Sequence, residues 1–310
     1  MESLNRMATE LVDEAIDFAE ELTIDAHTLP NEATVLDFGV DLPGALEAGL
    51  LLAEIQTAGL ATVGSTVDEL AGAPLTHVEV TTDHPALALL CSGKAGWELE
   101  TENFQGLGSG PARALVAEEE IFRNIGFEDE FDFAVLAVES DQLPTAEVAS
   151  TVAERTNVPE SSIFLPTFST ASITGSAVAG SRAAELAVFR LAELGYDPLD
   201  VLSVSASAPL APVAESEPTA MARTNDAVAY GGQVHLVVEE PFDKFSQIVS
   251  TAPTEYGDPF VDIFESVDWA YGDLPVELFA PAQVTVDVRG GDTHVYGETD
   301  ESVLAESFGL

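Results

Sequence analysis

The chain has 310 residues, 46% of them hydrophobic and 7% aromatic, enough apolar surface for packed cores and too much for a disordered acidic tail. Its 55 Asp and Glu against 10 Lys and Arg give a formal charge of −45 and a pI near 4.1, a field that repels phosphate backbones and anionic headgroups and so excludes nucleic acid and membrane surfaces as partners. A compact state so charged also repels itself, unless molar salt shortens the Debye length to roughly 3 Å, and a salt-rich cytoplasm, with potassium as the cation, is the expected setting.

The N-terminal MESLNRMATELVDEA has acids where a signal peptide needs a basic and then an apolar stretch, which also points to the cytoplasm. A single cysteine, Cys91, can form neither an intramolecular disulfide nor a thiolate metal site. His27, His77, His84, His235 and His294 show no HxH, HxxxH or HExxH spacing, so no metal cofactor is expected. The length exceeds one ordinary hydrophobic core and suggests two domains.

In chain order, Leu4, Met7, Leu11, Ala15, Phe18 and Leu22 recur at helical spacing and predict an amphipathic helix over 4–22. Residues 33–40 read as a strand and 45–56 as a helix entered from Pro43 and Gly44, after which Gly59 and Gly64 flank a short strand. Two strand-like runs, 77–81 and 87–90, are joined by Thr82, Asp83, His84 and Pro85 in turn chemistry. Residues 106–111, GLGSGP, read as a glycine loop before a helix over 112–123. A strand at 133–138, a helix at 145–156 and a strand at 162–165 have βαβ spacing. A helix over 182–194, strands at 201–205 and 234–239, and a hairpin of 283–288 and 293–297 around Gly290 and Gly291 complete the chain. The fold class is mixed α/β (α+β), with two α/β domains: residues 1–125 plus 265–310, and residues 126–264.

Four segments carry candidate chemistry. Residues 161–181 have no charged side chain; with Pro166 and many Ser, Thr and Gly they are no membrane helix, but a stretch hidden from water or turned to a ligand, with Thr170 and Ser172 as candidate contacts. The 106–111 loop before a helix can receive an anion, with Gly108, Ser109, Gly110 and Arg113 as contacts, although a tight turn explains it equally and its spacing is neither Walker nor Rossmann. It leaves a small-molecule kinase as a rival class. Arg182 and Glu185, three residues apart on a predicted helix, are by default an exposed ion pair; yet Lys94 and Lys244 are the only lysines, and an arginine kept in such a chain is kept for a contact. A Glu beside an Arg in an apolar pocket can act as a water-activating base. Arg223, Asn225 and Asp226, ahead of Tyr230-Gly231-Gly232, form a stretch dense in hydrogen-bonding groups that suits a polar heterocycle or, equally, a loop of Asx turns.

VTTDHPA (80–86), GSGPARAL (108–115), TASITGSAVAGSRAAE (170–185), APLAPVAE (208–215), ARTNDAVAYGG (222–232) and ESFGL (306–310) together resemble the methenyltetrahydromethanopterin cyclohydrolase family, in order and from the first helix to the last residue. The resemblance implies an archaeal enzyme of one-carbon metabolism: a homotrimer of two-domain α/β subunits, the pterin in a cleft between the domains, no metal or redox cofactor, and Arg182 and Glu185 at the reacting carbon. The implied reaction is reversible hydrolysis of 5,10-methenyltetrahydromethanopterin to the 5-formyl compound. This chain departs from the family mostly by Asp and Glu in place of Lys and Arg, which leaves a tetrahydrofolate carrier as an alternative. A third reading, a non-catalytic binder that keeps the fold, is opposed by the presence of Arg182 and Glu185.

Overall fold

Helix α1 (Leu4–Asp17) begins where the Ser3 hydroxyl accepts the Arg6 N–H, and it buries Leu4, Ala8, Val12 and Ala15 along one stripe. The helix expected over 4–22 breaks at Phe18; α2 (Ala19–Leu22) then ends on Thr23 in the left-handed region, at φ 57°. Strands β1 (Asp25–Thr28) and β2 (Thr34–Asp37), helix α3 (Leu46–Gln56) and strands β3 (Thr62–Leu70) and β4 (Ala73–Thr82) follow. Ala71 and Gly72 between β3 and β4 both have positive φ, 52° and 80°, as a two-residue type I′ turn requires.

The strand expected over 87–90 is instead part of a π-helix, Ala86–Gly93. Its apolar residues are buried apart from Leu87, which is partly so, and a short run without periodicity does not distinguish the two conformations. Next come β5 (Ala95–Thr101), β6 (Phe104–Ser109), α4 (Ala112–Val116), α5 (Glu120–Ile125), β7 (Ala134–Val135), β8 (Ala137–Glu139), α6 (Ala146–Thr156) and β9 (Ile163–Phe168). The expected helix over 112–123 is thus two short ones, parted by Ala117 at φ 48°. The uncharged segment forms β9 and then α7 (Ile173–Ser181). The chain continues as α8 (Ala183–Glu193), β10 (Val201–Pro209), α9 (Glu217–Ala229), β11 (Gln233–Val238), α10 (Ala252–Glu255), α11 (Phe260–Ser266), β12 (Gln283–Val288), β13 (Thr293–Gly297) and α12 (Glu301–Phe308).

The computed structural model describes residues 2–310, which form two compact units. The first takes the chain up to Thr62 together with Ala86–Val178, the second Val63–Pro85 and Ala179–Leu310. These limits differ from the expected 1–125 plus 265–310 and 126–264, and strand pairing explains why. Strands β7, β8 and β9 pair within the sheet of β2 and β6, which keeps 126–178 in the first unit. The β3–β4 hairpin leaves that unit because β4 pairs with β10, and β12 holds the C-terminal residues in the second by pairing with β11.

The first unit has a sheet of order β1-β2-β9-β8-β6-β5, with β7 also on β9. Strands β2, β7 and β8 run parallel to β9, and the outer pairs are antiparallel. Alternation along β2 sends Leu36 to a core with α1 and α3, and Val35 to another with α6. The second unit has a sheet of order β13-β12-β11-β10-β4-β3. Along β10, Val204, Ala206 and Ala208 are buried while Ser203, Ser205 and Ser207 are less so, the pattern of a sheet covered on one face. A further apolar cluster joins Tyr230 just after α9, Phe260 and Phe264 of α11, and Leu304 of α12. No helix among the described residues is long and apolar enough to cross a membrane.

Candidate active site

In the first unit, polar groups gather at the carboxyl ends of the parallel strands β2, β8 and β9, where open α/β sheets receive ligands. Asp37, 1% exposed, closes β2, and its carboxylate accepts the N–H groups of Gly39, Val40, Asp41 and Leu42 at 2.7–3.3 Å. After β9, Ser169 N–H donates to Gly39 O (3.0 Å), and Thr170 Oγ1 donates to Glu139 Oε1 of β8 (2.5 Å). Ser172 Oγ donates to Ser169 O (2.7 Å) and accepts Gly175 N–H (2.9 Å). Gly175 has no room for a side chain, since a Cβ would meet Ser169 O at 2.2 Å. Thr170 and Ser172 are therefore together at this edge. Glu139 and Asp37 beside them are absent from the sequence-based set; the available signal was a lone acid ending an apolar strand, Phe133–Val138 before Glu139 and Val35–Leu36 before Asp37.

The glycine loop is corrected by the structure. Residues 106–109 lie in β6, where Gly108 pairs with Trp97 on one side and Val138 on the other, and a Cβ on Gly108 would come within 3.0 Å of Leu136. Ser109 Oγ accepts Gln56 Nε2 at 2.9 Å, and Gly110, at φ 108°, donates its N–H to Ser92 O. Backbone committed to a sheet offers no phosphate cradle, so the kinase reading loses its basis. Arg113 is equally committed: its side chain is 0% exposed, its Nε and Nη2 fork onto Glu119 at 2.8 Å each, and Nη1 donates to Lys94 O (2.7 Å) and Ser92 O (3.2 Å). We expect Arg113→Met to lose on the order of 3 kcal/mol of stability, since it strips a carboxylate and buried carbonyls of their donor, as read by denaturant unfolding in molar KCl. A substrate contact would show instead as a raised KM in a fully stable protein.

In the second unit, Arg182 precedes α8 and Glu185 lies in its first turn, where the helix N–H groups favour a carboxylate. Arg182 Nε donates to Glu185 Oε2 at 3.1 Å, with side chains 28% and 7% exposed. Ala183, Ala184, Ala187 and Val188 around them are fully buried. An ordinary surface pair leaves both carboxylate oxygens in water; here the Glu185 side chain is nearly enclosed, with the more exposed Arg182 guanidinium beside it. Such a group can take a proton from a water molecule while the arginine holds its orientation.

Arg223, Asn225 and Asp226 lie in α9, not in the loop that their composition suggested: Ser216 caps this helix and Pro218 sits in its first turn. Asn225 Nδ2 donates to Met221 O one turn back (2.8 Å). Arg223 is half-buried and, among the described residues, its side chain forms no hydrogen bond or close ion pair, which leaves its guanidinium available to a ligand. Asp226 is structural. It is 1% exposed and accepts Phe260 N–H from α11 (2.8 Å) and the Ser307 hydroxyl from α12 (2.6 Å), tying three helices together. Burial pushes its carboxyl up to about 7, against the lowering by the Ser307 and Phe260 donors and by Arg223, while Asp262 raises it further.

A carboxyl whose pKa is higher in the folded state than in the unfolded chain favours folding when protonated. Its contribution is therefore complete below about pH 4 and is lost as pH rises through 7. Asp226→Asn preserves both bonds without a charge. Its stability relative to the parent should increase by about 2–3 kcal/mol between pH 5 and pH 8, as read by paired unfolding curves at fixed molar KCl; a constant difference across that range would rule out the raised pKa.

A nearly enclosed carboxylate beside an arginine is an arrangement able to move a proton to or from water, as a hydrolase requires. The comparisons with known proteins agree. The profile of the family described as Cyclohydrolase (MCH) matches residues 3–308. The chain is 58% identical over 310 residues to the methenyltetrahydromethanopterin cyclohydrolase of Halobacterium salinarum, covering all of both chains. It is 38% identical over 315 residues to the protein of that name from Methanocella arvoryzae (100% of this chain, 99% of the other). With that of Methanococcoides burtonii the identity is 33% over 317 residues, at the same coverage. The chain belongs to this cyclohydrolase family.

Proposed function

We propose that the chain hydrolyses the methenyl bridge of 5,10-methenyltetrahydromethanopterin to the 5-formyl compound, reversibly, as a step of archaeal one-carbon metabolism. The observation that carries the chemistry is the Arg182–Glu185 pair, with a 7% exposed carboxylate 3.1 Å from its guanidinium; full-length similarity to proteins of that name supports the substrate. The methenyl carbon lies between two nitrogens and is already cationic, so water can add to it once its proton has somewhere to go. Glu185 takes that proton and Arg182 holds the carboxylate in place. The hydroxyl joins the carbon, N10 receives the proton held by Glu185 as its bond to the carbon breaks, and the hydroxyl gives up its remaining proton to solvent as it becomes the carbonyl of the formyl group on N5, so that hydrolysis of the cation releases one proton. The protein groups and the substrate's own charge account for every step without a metal or redox cofactor.

Thr170, Ser172, Arg223 and Asn225 are the proposed carrier contacts, Arg223 because its half-buried guanidinium acts on Asp226 only at a distance, without a close ion pair among the described residues. The setting is a cytoplasm of molar potassium, consistent with 55 acidic residues, and the assembly is a homotrimer, the state that the family resemblance implies. The test follows the loss of methenyl-pterin absorbance in molar KCl with methanopterin and folate carriers in parallel. Rapid loss with the methanopterin carrier is expected. Loss with the folate carrier alone would replace the substrate, and no loss with either would overturn the reading.

A further inference from the structure

Arg190 is the one basic residue of α8, and it braces three parts of the second unit. Its side chain, 12% exposed, donates from Nη2 to Glu277 (2.9 Å), from Nη1 to Glu193 (3.4 Å) and from Nε to Gln247 O (3.3 Å). Arg190, Gln247 and Glu277 line a cavity of about 680 Å³, within the size range of small-molecule sites. Its wall belongs wholly to the second unit. Another part of that wall is Gly297, at φ 70°, where β13 ends so close to β12 that a Cβ would meet Ala282 O at 2.1 Å.

Thr251 lines the same cavity. Its N–H donates to Glu277 O at 3.2 Å, but its hydroxyl oxygen is buried and has no partner among the described residues, a need that folded chains seldom leave unmet. The exposed Glu298 forms no side-chain hydrogen bond or ion pair among the described residues, and Asp300 caps α12 through Oδ1. The wall therefore combines acceptors, the carboxylates of Glu298 and Asp300, with donors, the Gln247 amide and the Thr251 hydroxyl.

We propose that this cavity binds a small neutral polyol, a molecule with adjacent hydroxyl groups, at a site about 12 Å along α8 from Arg182. The pattern of donors and acceptors decides between ligands. An anion meets Glu298 and Asp300, and the guanidinium that could receive it already holds two carboxylates. An ammonium ion can only donate; in molar salt its attraction is screened beyond roughly 3 Å, and the salt cation competes for each carboxylate. No group of acids and histidines among the described residues is arranged for a metal ion. A hydroxyl both donates and accepts. Neighbouring hydroxyls can donate to Glu298 and Asp300 while accepting from Gln247 or Thr251, through short directional bonds that salt screens little.

The test is saturation-transfer NMR on the full chain in molar KCl, with ribitol as the probe and 1,4-diaminobutane and acetate as rivals. Ribitol should bind saturably, with a Kd on the order of 1 mM, since a few hydrogen bonds are offset by ordering a flexible ligand. Thr251→Val keeps the shape of the side chain and Glu298→Ala alters an exposed position. Each should weaken binding by about five- to ten-fold, as loss of one hydrogen bond does, with circular dichroism and methenyl-pterin hydrolysis unchanged. Absence of saturable ribitol binding, binding indifferent to both substitutions, or preference for the diamine or acetate would each overturn the inference. A raised KM for the methenyl-pterin in either variant would assign the cavity to the substrate and overturn it as well. A protein that binds ribitol in this way but hydrolyses no methenyl-pterin overturns only the proposed function.

Discussion

Glu185→Gln should lower kcat for methenyl-pterin hydrolysis by 10²- to 10⁴-fold in molar KCl, the range that a positioned general base supplies, with KM within a few-fold of the parent. Glutamine has the shape of the carboxylate, and its amide oxygen can still accept the Arg182 Nε–H now found at 3.1 Å from Glu185 Oε2. What it lacks is the capacity to take a proton from water. Because the side chain stands in the first turn of α8, the substitution also gives up a favourable charge–dipole term of about 0.5 kcal/mol, too little to unfold the unit, so circular dichroism should be unchanged. Arg182→Gln separates the partner's role: the carboxylate remains but is no longer aligned, and kcat should fall while the protein still folds. Full activity in Glu185→Gln would show that the proton goes to another group and would end the mechanism proposed for this pair.

Much of the architecture was legible because it rests on local pattern. The amphipathic helix through Leu4, Met7, Leu11 and Ala15, the β12–β13 hairpin around Gly290 and Gly291, and the βαβ run from β8 through α6 to β9 are periodicities and turn residues that the chain itself displays, although the buried stripe runs through Ala8 and Val12 and Phe18 is exposed. What was not legible depends on pairing across long separations. GLGSG reads as a loop because glycine is its visible feature, but β5 on one side and β8 on the other hold it as a strand, and its glycines leave room for side chains such as Leu136. The ARTND segment reads as a loop because Asn and Asp favour turns, but Asp226 is spent inside a helix as the anchor of two others. The domain limits were missed for the same reason, since nothing near residues 63–85 announces that β4 will pair with β10. Arg182 and Glu185 stood out because a basic residue is rare here, and the structure puts them 3.1 Å apart, which leaves their part in the chemistry to the substitutions above; Arg113 satisfied the same criterion and turned out to hold the backbone at Ser92 and Lys94. Scarcity identifies an arginine with a specific task without saying whether that task is catalysis or architecture.

Lowering KCl from molar concentration to about 0.1 M should unfold or dissociate the protein, because the Debye length grows from roughly 3 Å to about 10 Å and neighbouring carboxylates begin to feel one another. The effect has an address. Glu10 and Glu14, Asp13 and Asp17, and Asp17 and Glu21 stand one helical turn apart in sequence on exposed positions from α1 into α2, and like charges at that spacing disfavour a helix by some 0.2–0.5 kcal/mol each at low salt. Among the described residues Arg6 alone answers them, at 3.5 Å from Glu10, while it also lies 3.1 Å from Glu2. Hydrogen exchange across a KCl series should therefore report loss of protection in α1 at higher salt than in β9, whose strand neighbours β2 and β8 carry the parallel core. Changing Asp13, Asp17 and Glu21 to their amides should move the unfolding midpoint to lower salt, and NaCl at equal ionic strength should act as KCl does if screening is the cause. A midpoint indifferent to those amides, or one that follows excluded solutes such as sucrose at low ionic strength, would trace the salt requirement to burial of apolar surface rather than to charge.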